Sequence, residues 1–377
     1  MANGYNAYSI SLTGKDEYGH PMPAQLESFN DFKMPGYTYF LVPFIWVLGL
    51  SDFSVRLPSA IIGTLSVLVI YLLARKITRK ESIGLASATL TTISPWHLQF
   101  SRVAFEPVGV MLFIPLGVYL FLKGLEDKKY LYFSAISFAF SFYFYYSVRI
   151  FVPLFLLVLA VVYRRQLFKN LKVLIASVML GGVLILPIGI SLLKPQTSAR
   201  ISVVSIFSDK SIGINAAVKN AEAGNTTISR VVNHRYIAYG KEIALGYIKH
   251  FSPQFLFING DPNIRHGVRG MGVLYLIDLP FLLLGLVYLF KKEKKVGSLV
   301  IGWILLSPLP AAFAIPTPHA LRTLASIPIY EIVVACGIVY LLFLLKEKYR
   351  LVSASSIAFI YAIFFGIYLN SYYVRYP

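Results

Sequence analysis

An acidic and a basic side chain stand two residues apart in segment 28–35 (SFNDFKMP), directly before a short apolar run. The carboxylate of Asp31 has the chemistry to deprotonate a hydroxyl or to hold a metal ion, and the ammonium of Lys33 has the charge to bind a phosphate. Few ionic residues occur in so apolar a chain. We therefore expect its polar chemistry to centre on Asp31 and Lys33, with further charged residues supplied by other loops.

The elements that position these residues follow from an apolar composition. Of 377 residues, 57% are hydrophobic and 14% are charged, whereas a soluble domain of this length carries about a quarter charged residues. Apolar runs close to membrane-spanning length recur along the chain, so we expect it to lie in a bilayer. The net charge of +18 lies in short basic clusters between these runs. That pattern is typical of cytoplasmic loops and argues against a nucleic-acid partner.

The basic clusters predict a topology. All of them fall on one side of the bilayer when the apolar runs are counted as about ten transmembrane helices. The run 36–50 is too short to span and carries Tyr37, Tyr39 and Trp46, so we interpret it as a juxtamembrane helix at the interface. The predicted fold is an all-α polytopic membrane protein that forms one domain over residues 1–377. Its predicted segments, in chain order, are an extracytoplasmic loop (1–35), the juxtamembrane helix (36–50), transmembrane helices (57–193), a long extracytoplasmic loop (194–270) and further transmembrane helices (271–370).

Two polar groups of the first half share the extracytoplasmic side with the Lys33 loop. Arg102 and Glu106 are four residues apart and would share one helix face, although Pro107 disfavours helical geometry at Glu106. They form either part of a binding site or only a structural ion pair. Arg149 stands alone in an aromatic stretch, and we interpret it as reaching to lipid headgroups, a role that Lys33 could share.

The second half contributes His319 and Arg322, which are three residues apart after two prolines and would lie on one face at a helix start. An arginine at membrane depth is costly, which favours a functional role. His97 is interpreted as a structural interfacial histidine. No spacing of His and Cys indicates a zinc site, and residues 260–263 are interpreted as an ordinary turn.

Cations gathered around a carboxylate at a membrane surface suit a phosphate ester, and a lipid-linked phosphate fits the location because its tail can lie between helices. The carboxylate would either deprotonate an acceptor hydroxyl or hold a divalent metal ion; both roles stay open.

Five motifs resemble the type-C glycosyltransferase (GT-C) superfamily, which includes protein O-mannosyltransferases and lipid A aminoarabinose transferases. They are GYNAYSI (4–10), SFNDFKMPGYTYF (28–40), GLSDFSVRLPSA (49–60), SPWHLQFSRVAFE (94–106) and PTPHALR (316–322). The resemblance implies an inverting transfer of a hexose or pentose from a polyprenyl-phosphate donor to a protein, lipid or glycan acceptor on the outer face of the membrane. It also implies site roles: acidic catalytic residues (Asp31, Glu106) and substrate-binding residues (Lys33, Arg102, His319, Arg322, Tyr5), with Lys33 on the donor phosphate.

One feature departs from the resemblance. Members of the superfamily carry a first transmembrane helix and an Asp-Glu pair directly before the stretch that corresponds to Ala2–Ala7, and that aspartate is their expected catalytic base. The sequence begins at Met1, which predicts an N-terminal truncation and a chain that is inactive without the missing pair.

Two rival functions remain at this point: a lipid-phosphate-binding protein of flippase-like type, and a truncated pseudoenzyme. A transporter predicts charged residues deep within spans, and Glu331 is the main candidate. The expected location is the plasma membrane of a prokaryote, with the active site on the extracytoplasmic side.

Overall fold

The computed structural model describes residues 2–28, 31–191, 193, 204–292 and 294–375, with only the backbone of Asp31 and Lys292. This part of the chain is mostly helical and contains one β-hairpin, β1 (Leu26–Ser28) with β2 (Asp31–Lys33). Short stretches of tighter or wider helix lie at Ile206–Ser208, Gln254–Ile258, Ile264–His266, Leu321–Ser326 and Ser371–Arg375. The α-helices are α1 (Ala2–Thr13), α2 (Pro35–Leu48), α3 (Asp52–Thr78), α4 (Glu81–Ile93), α5 (Pro95–Arg102), α6 (Val108–Gly124), α7 (Lys129–Ser141), α8 (Val148–Val162), α9 (Arg164–Phe168), α10 (Leu171–Ser191), α11 (Lys210–Glu222), α12 (Thr227–Val232), α13 (Arg235–Lys249), α14 (Asp278–Lys292), α15 (Lys294–Leu306), α16 (Leu309–Ala312), α17 (Ile327–Leu344) and α18 (Glu347–Asn370).

Five helical segments within the described residues are long and apolar enough to cross a membrane, judged by length and composition. The all-α membrane fold expected from the sequence is therefore confirmed, while the count of about ten spans stays a prediction. The five segments are Asp52–Thr78, Leu171–Ser191, Lys294–Ala312, Leu321–Leu344 and Glu347–Arg375, and shorter apolar helices lie at Pro35–Leu48, Val108–Gly124 and Val148–Val162.

The predicted short helix after Lys33 is present as α2, and it begins at Pro35, whose fixed φ suits a first helical turn. Its Tyr37 is fully buried and donates a hydrogen bond to the carbonyl oxygen of Val55 at 2.7 Å. The next helix, α3, starts with a reciprocal cap, because the Ser51 hydroxyl accepts from the Ser54 amide and the Ser54 hydroxyl accepts from the Ser51 amide. These contacts fix α2 against the start of α3.

Two segments expected to be loops contain helices. Residues 2–13, taken as part of a turn-rich loop, form α1, which buries Asn6, Ala7 and Ile10. The described part of the predicted loop 194–270 contains α11, α12 and α13. Each of these helices begins with a side-chain cap: the carboxylate of Asp209, the hydroxyl of Thr226 and the imidazole of His234. Each cap accepts a hydrogen bond from a free backbone N–H group in the first turn, which stabilises the start of a polar helix.

The basic clusters meet at one end of the helix bundle, as the topology required. A cavity of about 610 Å³ at that end is lined by residues that include Arg75, Lys76 and Lys295. Lys76 forms an ion pair with Glu126 at 2.6 Å. Lys80 lies over aromatic rings at the ends of α14 and α17. Clusters far apart in sequence therefore share one end of the bundle.

Helices α14 and α17 approach so closely that their backbones touch. A Cβ atom added at Gly285 would lie 1.8 Å from the carbonyl oxygen of Val333, and one added at Gly337 would lie 1.9 Å from that of Phe281. Membrane helices pack by van der Waals contact between small residues, since lipid tails are as apolar as the side chains. Glycine at these two positions is therefore what permits the contact.

We predict that Gly337→Ala destabilises the protein. Alanine ordinarily favours a helix over glycine by up to about 1 kcal/mol, but overpacking against backbone costs about 1–3 kcal/mol or more, so the net effect is a lower thermal midpoint in detergent. Gly366→Ala in α18 is the matched control, because an added Cβ there meets no described atom within 4 Å. Heating followed by size-exclusion chromatography measures both midpoints, and equal values for wild type and Gly337→Ala would contradict the prediction.

Candidate functional site and relation to known folds

The hairpin that carries Lys33 pairs two short antiparallel strands, with Leu26 opposite Lys33 and Ser28 opposite Asp31. Lys33 is partly exposed. The side chain of Asp31 lies outside the described residues, so its predicted catalytic role stays a prediction. The hairpin is held to α1 by Asn6, whose amide donates to the Ser28 hydroxyl at 3.0 Å and to the Glu17 carboxylate at 2.7 Å.

Three side chains from other elements hold the segment around Lys33. The carboxylate of Glu106 accepts a hydrogen bond from the backbone N–H of Met34 at 3.0 Å, and both residues are buried. The Tyr146 hydroxyl donates to the carbonyl oxygen of Phe32 at 2.7 Å. Arg149 contacts the sulfur of Met34 at 3.3 Å. The segment is therefore fixed on both sides of Lys33.

Arg149 continues from this contact into a pocket of about 300 Å³ that Arg322 also lines. Its guanidinium carbon lies 4.5 Å from the centre of the Tyr146 ring, a cation–π contact that orients the side chain. Arg322 donates to the carbonyl oxygens of Ile315 and Pro316 at 3.0 and 3.1 Å. The other lining residues are mostly apolar or aromatic: Tyr145, Tyr146, Ser147, Ile150, Val204, Ser205, Pro310, Phe313 and Ala314.

The interpretation of Arg149 as a residue that reaches to lipid headgroups is therefore wrong. It packs between the hairpin and the pocket because Met34, from a distant part of the chain, and the nearby Tyr146 form its surroundings. Arg149 is at the start of α8, whereas Tyr163, just beyond its end, lines the basic cavity. The 15 residues of α8 separate the two places by roughly 20 Å. The arginine pocket lies at the end of the bundle opposite the basic clusters.

Arg102 and Glu106 do not share a helix face. Helix α5 ends at Arg102 and the backbone at Val103 is extended, so the helix stops before Glu106. The guanidinium of Arg102 lies 4.7 and 4.6 Å from the ring centres of Tyr372 and Tyr373. Arg102 is thus held away from Glu106, and its predicted contact with substrate stays a prediction.

Tyr5 is 53% exposed on α1 and is not among the residues that line the arginine pocket. Asn6 supplies the buried polar contacts of this motif. The proposed substrate contact of Tyr5 stays a prediction.

His319 lies in a buried cluster that the sequence analysis missed. Asp261 Oδ2 is 2.8 Å from His266 Nδ1 and 3.7 Å from His319 Nδ1, and it accepts a hydrogen bond from the backbone N–H of Ala320 at 2.6 Å. Residues 260–263 are more than the ordinary turn expected. Because the three side chains come from two distant segments, no local spacing could have revealed the cluster.

The surroundings set the charge of this cluster. Burial raises the pKa of Asp261, but the hydrogen bond from His266 and the nearby His319 outweigh it and hold that pKa below its ordinary value. Burial lowers the pKa of His319 to about 3, and the positive charge of Arg322 adds to this effect. At neutral pH the cluster therefore contains an ionised carboxylate beside a neutral His319 imidazole.

His97 belongs to the packing between α3 and α5, as the sequence interpretation favoured. Its Nε2 lies 2.9 Å from the Ser66 hydroxyl and 3.2 Å from the carbonyl oxygen of Gly63, and the side chain is buried. Burial lowers its pKa to about 4. The residue is therefore neutral and structural at neutral pH.

We predict that Glu106→Ala destabilises the protein more than Glu106→Gln. Alanine leaves the buried N–H of Met34 without its acceptor, which costs about 1–3 kcal/mol, whereas the glutamine carbonyl can still accept. Thermal midpoints of the two variants in the same detergent test this. Equal midpoints would show that the hydrogen bond does not hold the hairpin.

We also predict that acid destabilises the protein partly through His97. The pKa of His97 in the folded protein, about 4, lies below the unfolded value of about 6.5, so its contribution is present above pH 6.5 and is lost as the pH falls towards 4. The full contribution of His97 to the free energy of unfolding is on the order of 3 kcal/mol. The thermal midpoint of His97→Gln should fall less between pH 7 and pH 5 than that of wild type. His234→Gln, at an exposed position, is the control, and parallel pH profiles for all three proteins would refute the assignment.

Comparisons with known proteins agree on the fold. Residues 33–190 match the family model described as dolichyl-phosphate-mannose-protein mannosyltransferase. A comparison with curated protein sequences gave no match.

Solved structures are similar over nearly the whole chain. ArnT from Cupriavidus metallidurans in the apo state is 12% identical with a TM-score of 0.53, over 95% of this chain and 57% of that one. The oligosaccharyltransferase AglB from Archaeoglobus fulgidus, in complex with an inhibitory peptide and a dolichol-phosphate, is 13% identical with a TM-score of 0.53, over 98% of this chain and 50% of that one. The Archaeoglobus fulgidus oligosaccharyltransferase in complex with Zn and sulfate is 14% identical with a TM-score of 0.57, over 100% of this chain and 47% of that one.

The chain thus spans about half the length of these neighbours. The identities are low, and the likeness in structure extends over the complete helix bundle rather than one motif. The expected resemblance to GT-C proteins is confirmed at the level of the fold: the chain has the same helical membrane fold as these solved structures.

Proposed function

We propose that this protein is a membrane glycosyltransferase that moves a sugar from a polyprenyl-phosphate donor to an acceptor, with the donor phosphate bound between Arg149 and Arg322. The observation that carries the proposal is the pocket itself. Two guanidinium groups from separate elements line a cavity of about 300 Å³ whose other walls are mostly apolar or aromatic. Arginine is suited to bidentate contact with phosphate oxygens, and apolar walls suit a lipid tail.

Lys33 is the third cation of the proposed site. Its strand neighbours Phe32 and Met34 contact Tyr146 and Arg149, so the hairpin and the pocket adjoin. We assign Lys33 to the donor phosphate. Glu106 accepts the Met34 N–H, which makes it a positioning residue for this segment in addition to the acidic role expected from the sequence.

In the proposed reaction, the bond between the anomeric carbon of the sugar and the donor phosphate breaks as the acceptor oxygen bonds to that carbon. A carboxylate, with Asp31 as the candidate of this chain, takes the proton of the acceptor. The departing polyprenyl phosphate gains negative charge, which Arg149, Arg322 and Lys33 would stabilise. Attack from the face opposite the phosphate inverts the anomeric centre.

The neighbours support the choice of partners. AglB was solved with a dolichol-phosphate and an inhibitory peptide, and the matching family model is that of a mannosyltransferase acting on protein. We therefore favour a polyprenyl-phosphate sugar as donor and a protein as acceptor, with lipid or glycan as the alternatives. The pocket lies opposite the basic clusters, which supports an extracytoplasmic site in a prokaryotic plasma membrane.

A transporter of lipid phosphate is the second candidate, and buried acids favour it. Glu331 in α17 and Asp278 in α14 are 2% and 3% exposed. Asp278 accepts hydrogen bonds from the Tyr361 hydroxyl and the Tyr275 N–H. Acids buried among membrane helices often serve a pathway. Labelled lipid that crosses a bilayer without any sugar transfer would favour this alternative.

We predict that Arg149→Ala and Arg322→Ala each weaken binding of a radiolabelled long-chain polyprenyl phosphate. A hydrogen bond to a charged group contributes about 1.5–3 kcal/mol, so the dissociation constant should rise about tenfold or more. Binding is measured on the protein in nanodiscs by filter retention, and sugar transfer from the labelled donor is followed in parallel.

Arg350→Ala is the matched control. Arg350, like Arg322, donates to backbone carbonyls, those of Leu345 and Phe343, but it lies at the opposite end of α17. Its loss should leave binding unchanged. Binding that is equal in all variants would reject the pocket. Binding that depends on the arginines, with labelled lipid crossing the bilayer and no transfer to any acceptor, would reject the enzyme in favour of the transporter. Binding with neither transport nor transfer is the result that the truncated chain predicts.

A further inference from the structure

The cluster at Asp261 contains a buried nitrogen that the surrounding protein does not satisfy. His319 is 6% exposed, and among the described residues its Nδ1 has no hydrogen-bond partner. This nitrogen points towards the carboxylate of Asp261, which is 3.7 Å away. A buried polar atom without a partner is costly, and such atoms in folded proteins usually contact an ion or an ordered water.

The spacing of the three side chains suits a small metal ion. The ligand atoms of Asp261, His266 and His319 all lie within 4.8 Å of one another. Zinc bonds to imidazole nitrogen and carboxylate oxygen are about 2.0–2.2 Å long, so tetrahedral ligands stand about 3.4 Å apart. The Oδ2 atom of Asp261 is 2.8 Å from Nδ1 of His266 and 3.7 Å from Nδ1 of His319. One distance is shorter and the other longer than about 3.4 Å.

We propose that Asp261, His266 and His319 bind a divalent transition-metal ion, with Zn²⁺ as the favoured ion. Two imidazoles and one carboxylate match the ligands that zinc prefers, whereas Mg²⁺ and Ca²⁺ prefer oxygen alone. The nearby His250 is excluded as a ligand. Its Nε2 accepts from the His319 backbone N–H at 3.1 Å and its Nδ1 lies 2.8 Å from the carbonyl oxygen of Gly246, so both nitrogens are occupied.

The surroundings of the three ligands agree with a metal site. Backbone N–H groups of Ala320 and Asn263 donate to the two oxygens of Asp261 and orient the carboxylate. The rings of Phe100 and Phe105 lie 6.0 Å from that of His266 and cover it. A cavity of about 10 Å³ beside Asp261 and His266 has room for about one water molecule, which would complete four ligands.

The metal would join two loops that are far apart in the sequence. Asp261 and His266 come from the loop before α14, and His319 comes from the loop before α17. Arg322 follows His319 by one turn and lines the arginine pocket. The ion would thus fix the loop that supplies Arg322, and its role is to position this loop rather than to take part in chemistry.

Metal content tests the proposal without any assay of activity. The full chain is purified in detergent with a tag that contains no histidine, is dialysed against dilute Zn²⁺ and then against metal-free buffer, and is analysed by plasma mass spectrometry. We expect about one zinc ion per chain, a lower thermal midpoint after treatment with a chelator, and visible absorption typical of a tetrahedral site when Co²⁺ replaces Zn²⁺.

Variants locate the ion. Asp261→Asn, His266→Gln and His319→Gln should each lose most of the bound zinc, and His234→Gln should retain it. Only variants that elute as monodisperse protein are compared. If none of the three folds, the cobalt spectrum and the zinc content of the wild type decide. A wild-type chain that keeps no zinc would overturn the proposal and leave a hydrogen-bonded Asp–His pair, and zinc retained by all three folded variants would place the ion elsewhere and overturn it as well.

Discussion

The cost of placing charge in hydrocarbon governs this molecule. Its basic clusters gather at one end of the helices, where Lys76 pairs with Glu126, and Arg149 and Arg322 meet at the other. Between these ends the helices pack through apolar side chains and glycine. Ionic residues therefore lie at a helix end or in a buried site beside other polar groups. The distance between the two ends follows from the length of the helices.

The candidate site depends on tertiary contacts between short pieces of chain. The hairpin at Lys33 is too small to be stable alone. It is held by Asn6 from α1, by Glu106 at the start of α6 and by Tyr146 before α8. Because each contact uses a buried or partly buried polar group, loss of one partner leaves the other unsatisfied. The geometry of the hairpin is thus a property of the whole end of the bundle that carries the arginine pocket.

Much of this fold follows from the sequence. The apolar runs predict the helices, Pro35 predicts the start of α2, and the GT-C motifs at 28–40 and 94–106 predict that Lys33 and Glu106 belong to one region, which the Met34 hydrogen bond now explains. These features are local or repeated along the chain, so they can be recognised one segment at a time.

The features that the sequence could not predict all depend on distant partners. Arg149 gains its position from Met34, which is 115 residues away in the sequence. Asp261 meets His319 only after two loops fold together. Helix α1 has weak amphipathic character and is stabilised by burial against other elements rather than by its own pattern. Sequence patterns indicate which face of a helix is apolar and how long a helix is. They do not indicate which loops come into contact after folding.

The glycine contact between α14 and α17 has a mechanical consequence. The two helices run parallel, since Gly285 meets Gly337 and Tyr288 meets Tyr340, and their contact acts as a pivot about 10–15 Å below the helix starts. A rotation of about 5° at this pivot would move the loops above by about 1 Å. The separation between Asp261 and His319, which spans those loops, would therefore change with the angle at which α14 and α17 cross.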